Sequence, residues 1–97
     1  MAQLALVTGS TSGIGFGIAR ALAEAGYRLV LNGFGQPDQI DAALEEVRQL
    51  GSPSPLYLGT DLTDVSAIEL AVREVISSEG PISILVNNAG MQFTASI

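Results

Sequence analysis

Thr8-Gly9-Ser10-Thr11-Ser12-Gly13-Ile14-Gly15 joins two segments of different periodicity. Before it stands Leu4-Ala5-Leu6-Val7, an apolar run too short for a helix and suited to a strand buried on both faces. After it, Ile14, Ile18 and Leu22 recur at a four-residue step and are expected on one face of a helix. The segment reads as strand, glycine turn, helix. A helix start leaves backbone N–H groups without partners and carries a partial charge of about +0.5, so an anion belongs there. Glycines at 9, 13 and 15 allow tight turning, close approach of backbone to a phosphate, and close packing of helix on strand. Ser10, Thr11 and Ser12 add hydroxyl donors, and a pyrophosphate is the guest such a turn fits.

Spacing narrows the guest. A triphosphate-binding loop needs Lys followed by Ser or Thr after its last Gly, and the chain has no Lys. The commoner dinucleotide fingerprint is G-x-G-x-x-G, whereas here it is G-x-x-x-G-x-G. A glycine turn alone can be a plain structural turn; the flanking strand and helix favour the nucleotide.

Bulk composition excludes several classes. At 47% hydrophobic and 14% charged the chain should collapse rather than stay disordered, and 97 residues make one small domain, residues 1–97. A net charge of −6 disfavours nucleic acid and anionic membrane surfaces as partners, while a single dinucleotide is still allowed because local backbone donors hold it. Absence of Cys and His removes thiolate chemistry, disulfides and the usual base and metal ligand, so no metal site is expected. The N-terminus lacks a basic region and the apolar runs fall short of a membrane span, so a cytoplasmic protein is the expectation.

The first helix, from about Ile14, is rich in Ala and should stop at Gly26. Arg28 to Asn32 is a second buried strand, ending in Gly33-Phe34-Gly35 where the adenosine ribose of a dinucleotide would lie. Residues 29–35 hold no Asp or Glu for a ribose hydroxyl and no Arg for a 2′-phosphate, nor is there a cation at Ser12. NAD is favoured over NADP, with Phe34 against the adenosine and Asn32 or backbone groups at the ribose; the alternative is that Phe34 only packs the loop. Pro37 opens a second helix with Ile40, Leu44, Val47 and Leu50 inward and Asp38, Asp41, Glu45 and Glu46 solvated. Leu56 to Thr60 is a third strand in which Tyr57 packs or makes an edge contact. Asp61 could receive the adenine amino group and Leu62 supply an apolar wall, or Asp61 could serve turn chemistry before a helix capped by Thr63 or Asp64. That third helix should run from about Asp64 to Glu79 on Val65, Ile68, Val72, Val75 and Ile76. Ile82 to Val86 forms a fourth strand, followed by Asn87-Asn88-Ala89-Gly90. Alternation of strand and helix specifies an α/β fold with a parallel sheet in order 3-2-1-4 and a ligand cleft where strands one and four part company.

With Thr8 to Gly15 after the first strand, Asp61-Leu62 after the third and Asn87-Asn88-Ala89-Gly90 after the fourth, essentially all 97 residues resemble the N-terminal part of a classical short-chain dehydrogenase/reductase. The resemblance implies a Rossmann-type, partial doubly wound fold lacking its C-terminal half. It implies NAD held by Gly9, Thr11, Ser12, Gly13, Ile14, Gly15, Phe34, Asp61, Leu62, Asn88, Ala89 and Gly90, with Asn87 bracing the central strands. Val30-Leu31-Asn32-Gly33-Phe34-Gly35 and Met91-Gln92 are similar to those members that act on small hydroxy acids, which makes Gln92 a substrate-pocket candidate; Ser83 and Phe93 depart from the family's Asp and His. Family chemistry implies a Tyr that moves the substrate hydroxyl proton, a Lys that lowers its pKa and an orienting Ser, while nicotinamide carries the hydride. No Tyr-x-x-x-Lys occurs within the 97 residues, so catalytic residues are absent, Tyr27 and Tyr57 read as structural, and the chain alone is expected to be inactive. Strand four would be an exposed edge, inviting homo-oligomers or self-association, and a non-catalytic dinucleotide-binding or association module is the alternative.

Overall fold

The computed structural model describes residues 2–59 and 64–88. Seven elements alternate along them: β1 (Leu4–Val7), α1 (Gly13–Glu24), β2 (Arg28–Asn32), α2 (Pro37–Leu50), β3 (Leu56–Leu58), α3 (Val65–Glu79) and β4 (Ile82–Val86). All strand pairs are parallel and the sheet order is β3-β2-β1-β4, the Rossmann-type arrangement the alternation predicts. β3 is shorter than expected, and Thr60 lies outside the described residues.

Strand periodicity divides the core into two layers. Ala5 and Val7 of β1 and Leu29 and Leu31 of β2 face α1 and α2, where they meet Ala19, Ala23, Ala43 and Val47. Leu4, Leu6 and Val30 face the other way, toward Val75 and the half-buried Val72 of α3. Leu6, Leu29 and Leu31 are fully buried, each stabilising the fold by about 1.5–3 kcal/mol of gross transfer free energy.

The buried stripe of α1 differs from the one expected. Gly15, Ala19 and Ala23 face the sheet, Ile18 and Leu22 pack beside them, and Ile14 is 79% exposed. Small residues win the inner positions because they let the helix axis approach the strands, a preference that hydrophobic periodicity does not register. α3 shows a similar shift: Ala71 and Val75 are buried and Ile76 is 44% exposed. At the end of α1, Gly26 N–H donates to the Ala23 carbonyl (2.9 Å) and Tyr27 N–H to the Leu22 carbonyl (3.1 Å), satisfying carbonyls the helix cannot.

β4 contains a bulge. Leu4 pairs with Ile82 but Ala5 pairs with Ile84, so Ser83 is the extra residue and the side-chain alternation reverses across it. Ile82 therefore packs in the α3 layer and Ile84 and Val86 in the opposite one. Leu85, in register with Leu6, is left 40% exposed, and β4 pairs only with β1 among the described residues.

The remaining helices are closed by their own side chains. Gln36 and Gln39 cap α2 reciprocally, with Gln39 Oε1 accepting the Gln36 N–H at 3.2 Å. Asp64 caps α3 by accepting the Ser66 N–H at 3.0 Å. On the outer side of α2, the Arg48 guanidinium, followed by Gln49, holds the Glu45 carboxyl below the usual carboxylate range; in full solvent such a pair adds little stability.

Candidate functional site

At the carboxyl end of β1 the chain turns through Gly9 and Gly13, both at φ +62, a region that costs other residues steric strain. Gly15 serves a different need. A Cβ there would stand 2.0 Å from the Gly9 carbonyl oxygen and 2.6 Å from Asn88 Nδ2, so the first turn of α1 lies directly on the glycine turn and only hydrogen fits between them. Ser12 is the N-cap residue, with extended backbone, and its side chain makes no capping bond; the first turn of α1 contains no acid. The helix start therefore presents its amides without a side-chain acceptor of its own.

Neighbouring strands hold this turn on two sides. From β2, Asn32 Oδ1 accepts the Gly9 N–H (3.2 Å) while its Nδ2 donates to the Leu58 carbonyl of β3 (2.8 Å). The Ser10 hydroxyl accepts the Asn32 N–H (2.9 Å) and the Ser10 N–H donates to the Asn32 carbonyl (2.5 Å). From β4, Asn88 donates its backbone N–H to Thr8 Oγ1 (2.8 Å) and its side-chain amide to the Gly9 carbonyl (3.2 Å), and Thr8 Oγ1 donates to Asn87 Oδ1 (3.2 Å). Two expectations change as a result. Asn32 is 3% exposed and its amide joins β1 to β3 instead of facing a ribose, and the Ser10 hydroxyl is engaged with β2 instead of pointing at a phosphate.

The loop after β2 borders the same turn. Thr11 Oγ1 donates to the Phe34 carbonyl (3.0 Å), and Phe34 is 73% exposed, so it is not a loop-packing residue. Tyr57 donates its hydroxyl to the Gly33 carbonyl (2.5 Å), a contact that sequence reasoning missed because it depends on the β2–β3 register, Leu31 opposite Tyr57. Gly9, Thr11, Ser12, Gly13, Ile14, Gly15, Phe34 and Asn88 are thus gathered at the carboxyl ends of β1, β2 and β4. Asp61, Leu62, Ala89, Gly90 and Gln92 lie outside the described residues.

A cleft of about 590 Å³ opens at the opposite, amino ends of the strands, lined by Gln3, Arg28, Ser54, Glu79 and Ser83 among others. Arg28 there is held by Glu79 (2.8 Å) and the Ser54 carbonyl (2.9 Å), and none of the lining residues belongs to the glycine turn. Parallel α/β sheets bind ligands beyond their carboxyl ends, so the turn rather than the cleft is the candidate site. Its donor set fits a diphosphate: glycine-lined backbone, an uncapped helix start and, in the first turn of α1, no carboxylate to repel an anion.

A parallel sheet in this order, with a glycine turn after its first strand, defines a Rossmann-type fold. The family profile of the short chain dehydrogenases matches residues 3–97, and the chain belongs to that family. It is 48% identical, over all 97 of its residues, to a D-beta-hydroxybutyrate dehydrogenase of Rhizobium meliloti, of which it covers 38%. It is 37% identical over 91 residues, 94% of this chain and 37% of the relative, to a 3-oxoacyl-[acyl-carrier-protein] reductase of Staphylococcus aureus. A solved short-chain dehydrogenase/reductase from Sinorhizobium meliloti superposes with a TM-score of 0.80 at 39% identity, covering 96% of this chain and 42% of that one. The chain thus spans less than half the length of these relatives. The family uses nicotinamide dinucleotides, and its solved neighbours include one complexed with NAD and one with NADPH.

Proposed function

We propose that residues 1–97 are the NAD-binding part of an oxidoreductase that acts on a small hydroxy acid, with 3-hydroxybutyrate the leading substrate. One observation carries the cofactor reading: α1 begins at an uncapped glycine turn, whereas α2 and α3 are capped by their own side chains. Backbone amides of residues 13–15 hold the pyrophosphate, Phe34 lies against the adenosine, and Asp61 and Leu62 meet the adenine. Asn88, Ala89 and Gly90 border the nicotinamide half, and Gln92 meets the substrate carboxylate. NAD is preferred over NADP because neither the glycine turn nor the Asn32–Gln36 segment contains a cation for a 2′-phosphate. Similarity to the Rhizobium enzyme over the whole chain supports the hydroxy-acid substrate over an acyl-carrier-protein thioester.

When bound, the nicotinamide supplies the hydride acceptor or donor. The chain's own residues bind and orient it; the proton relay is not among them, since Tyr27 and Tyr57 have no Lys to work with. Residues 1–97 alone therefore bind NAD in the cytoplasm without turnover. Calorimetry with NAD and NADP, run beside an assay of 3-hydroxybutyrate oxidation, tests this. Binding of NAD more tightly than NADP, with no oxidation, is expected; absent NAD binding overturns the cofactor assignment, and turnover overturns the account of the relay.

The exposed Leu85 on the β4 edge favours a second reading, a module that associates through its sheet edge. Ultracentrifugation separates the two, since edge pairing gives oligomers whose formation ignores NAD.

A further inference from the structure

Phe34 is the one exposed aromatic at the carboxyl end of the sheet among the described residues, where the exposed Ile14 also lies, yet the loop that carries it is tied on both sides. From β1, Thr11 Oγ1 holds the Phe34 carbonyl; from β3, Tyr57 holds the Gly33 carbonyl. Gly33 itself stands at φ +152, and a Cβ on it would come within 2.5 Å of Thr11 Oγ1, so the loop sits against the glycine turn with no room for a side chain between them. Tyr57 reaches Gly33 because its ring packs in the α1–α2 layer, where Leu31 is its register partner, leaving the hydroxyl at the loop. An exposed aromatic on a free loop would have to be ordered when a ligand binds, at a cost in conformational entropy for each backbone residue fixed. Here that ordering is built into the free protein.

Building on the NAD reading above, we propose that Tyr57 is a positioning residue for the adenosine half of the dinucleotide: through the Gly33 carbonyl it fixes the Phe34 loop beside the glycine turn. Tyr57 touches no part of the nucleotide in this role. Its contribution is pre-organisation, which raises affinity by removing an ordering penalty rather than by adding a contact. Because the loop borders only the adenosine side, the effect is confined to ligands that contain adenosine.

Tyr57→Phe keeps the ring and removes the hydroxyl. Calorimetry on the 97-residue chain with NAD, AMP and nicotinamide mononucleotide is expected to show NAD and AMP weakened about five-fold, the worth of one neutral hydrogen bond, with the mononucleotide unchanged. Amide exchange at Phe34 and Gly35 should accelerate in the same variant. Unchanged AMP affinity, or equal losses for AMP and the mononucleotide, would overturn the proposal. Thr11→Val, which releases the same loop at Phe34 and leaves Tyr57 in place, supplies the reading if Tyr57→Phe does not fold; there an AMP loss no larger than the mononucleotide loss counts against the clamp. Failure of the unsubstituted chain to bind NAD is a separate outcome and strikes the cofactor assignment itself.

Discussion

α1 and α3 both begin at the end of a strand-to-helix connection, and they solve the same problem in opposite ways. Each leaves backbone N–H groups without intrahelical acceptors. α3 closes its own start: Asp64 supplies a carboxylate oxygen to Ser66 N–H. α1 has Ser12 at the corresponding position, a residue able to cap, and Ser12 does not. Three glycines and a set of braces from β2 and β4 shape the α1 start instead, so effort goes into fixing the backbone and none into neutralising it. A helix start left uncapped, yet rigidly held, suits an acceptor from outside the chain, as the proposed pyrophosphate site requires.

Gly15→Ala breaks the contrast most severely. The added Cβ would meet a backbone oxygen at 2.0 Å, which no rotamer change relieves, so α1 must move off the turn. Overpacking of this kind costs about 1–3 kcal/mol, and NAD binding should be lost below detection in calorimetry. Ser12→Asp is the next largest and the most diagnostic. It gives α1 the cap that α3 has, so thermal unfolding should shift upward by a few degrees, about what 0.5–1 kcal/mol produces in a domain this size. The same carboxylate opposes the pyrophosphate, and NAD affinity should fall about ten-fold or more, as a like charge at close range requires. A variant that gains stability and keeps its affinity would show that the open α1 start is not where the anion sits.

How much of this contrast the sequence displays depends on the kind of interaction. Strand positions were legible because apolar runs such as Leu4–Val7 and Ile82–Val86 have few other uses, and the parallel order followed from alternation with helices. The glycine turn was legible because its residue types carry a backbone constraint. Hydroxyls and amides were not: Asn32 and Ser10 have polar groups that suit a ligand as well as a neighbouring strand, and only the register of β1, β2 and β3 shows that each faces protein, while the structural reading of Tyr57 stands but its partner, the Gly33 carbonyl, is set by register alone. The inner face of α1 is only partly legible for a related reason: Ile18 and Leu22 pack on the core as their spacing predicts, but close approach selects Gly15, Ala19 and Ala23 over the more hydrophobic Ile14.

Asp64→Ala sharpens the comparison from the other helix. Loss of the cap should destabilise the chain by about 1 kcal/mol, lowering the melting midpoint by several degrees. NAD affinity measured well below that midpoint should not change, because α3 packs on the opposite face of the sheet from α1. A matching loss of affinity would mean that the two helix starts are coupled, and that the open one owes its properties to global stability.

Gly17→Ala carries the smallest expected effect and controls for the largest. Gly17 lies two residues beyond Gly15 in the same helix, is exposed, and a Cβ there meets nothing within 4 Å. Its backbone is helical, so alanine fits without strain and removes conformational freedom from the unfolded chain, stabilising by about 0.4–1 kcal/mol. The melting midpoint should rise slightly and NAD binding should stay as it was. Were Gly17→Ala to weaken binding as Gly15→Ala does, the loss could not be assigned to the contact with the Gly9 carbonyl. It would belong to the flexibility of the helix as a whole, and the close approach of α1 to the turn would no longer explain why the start of this helix differs from the others.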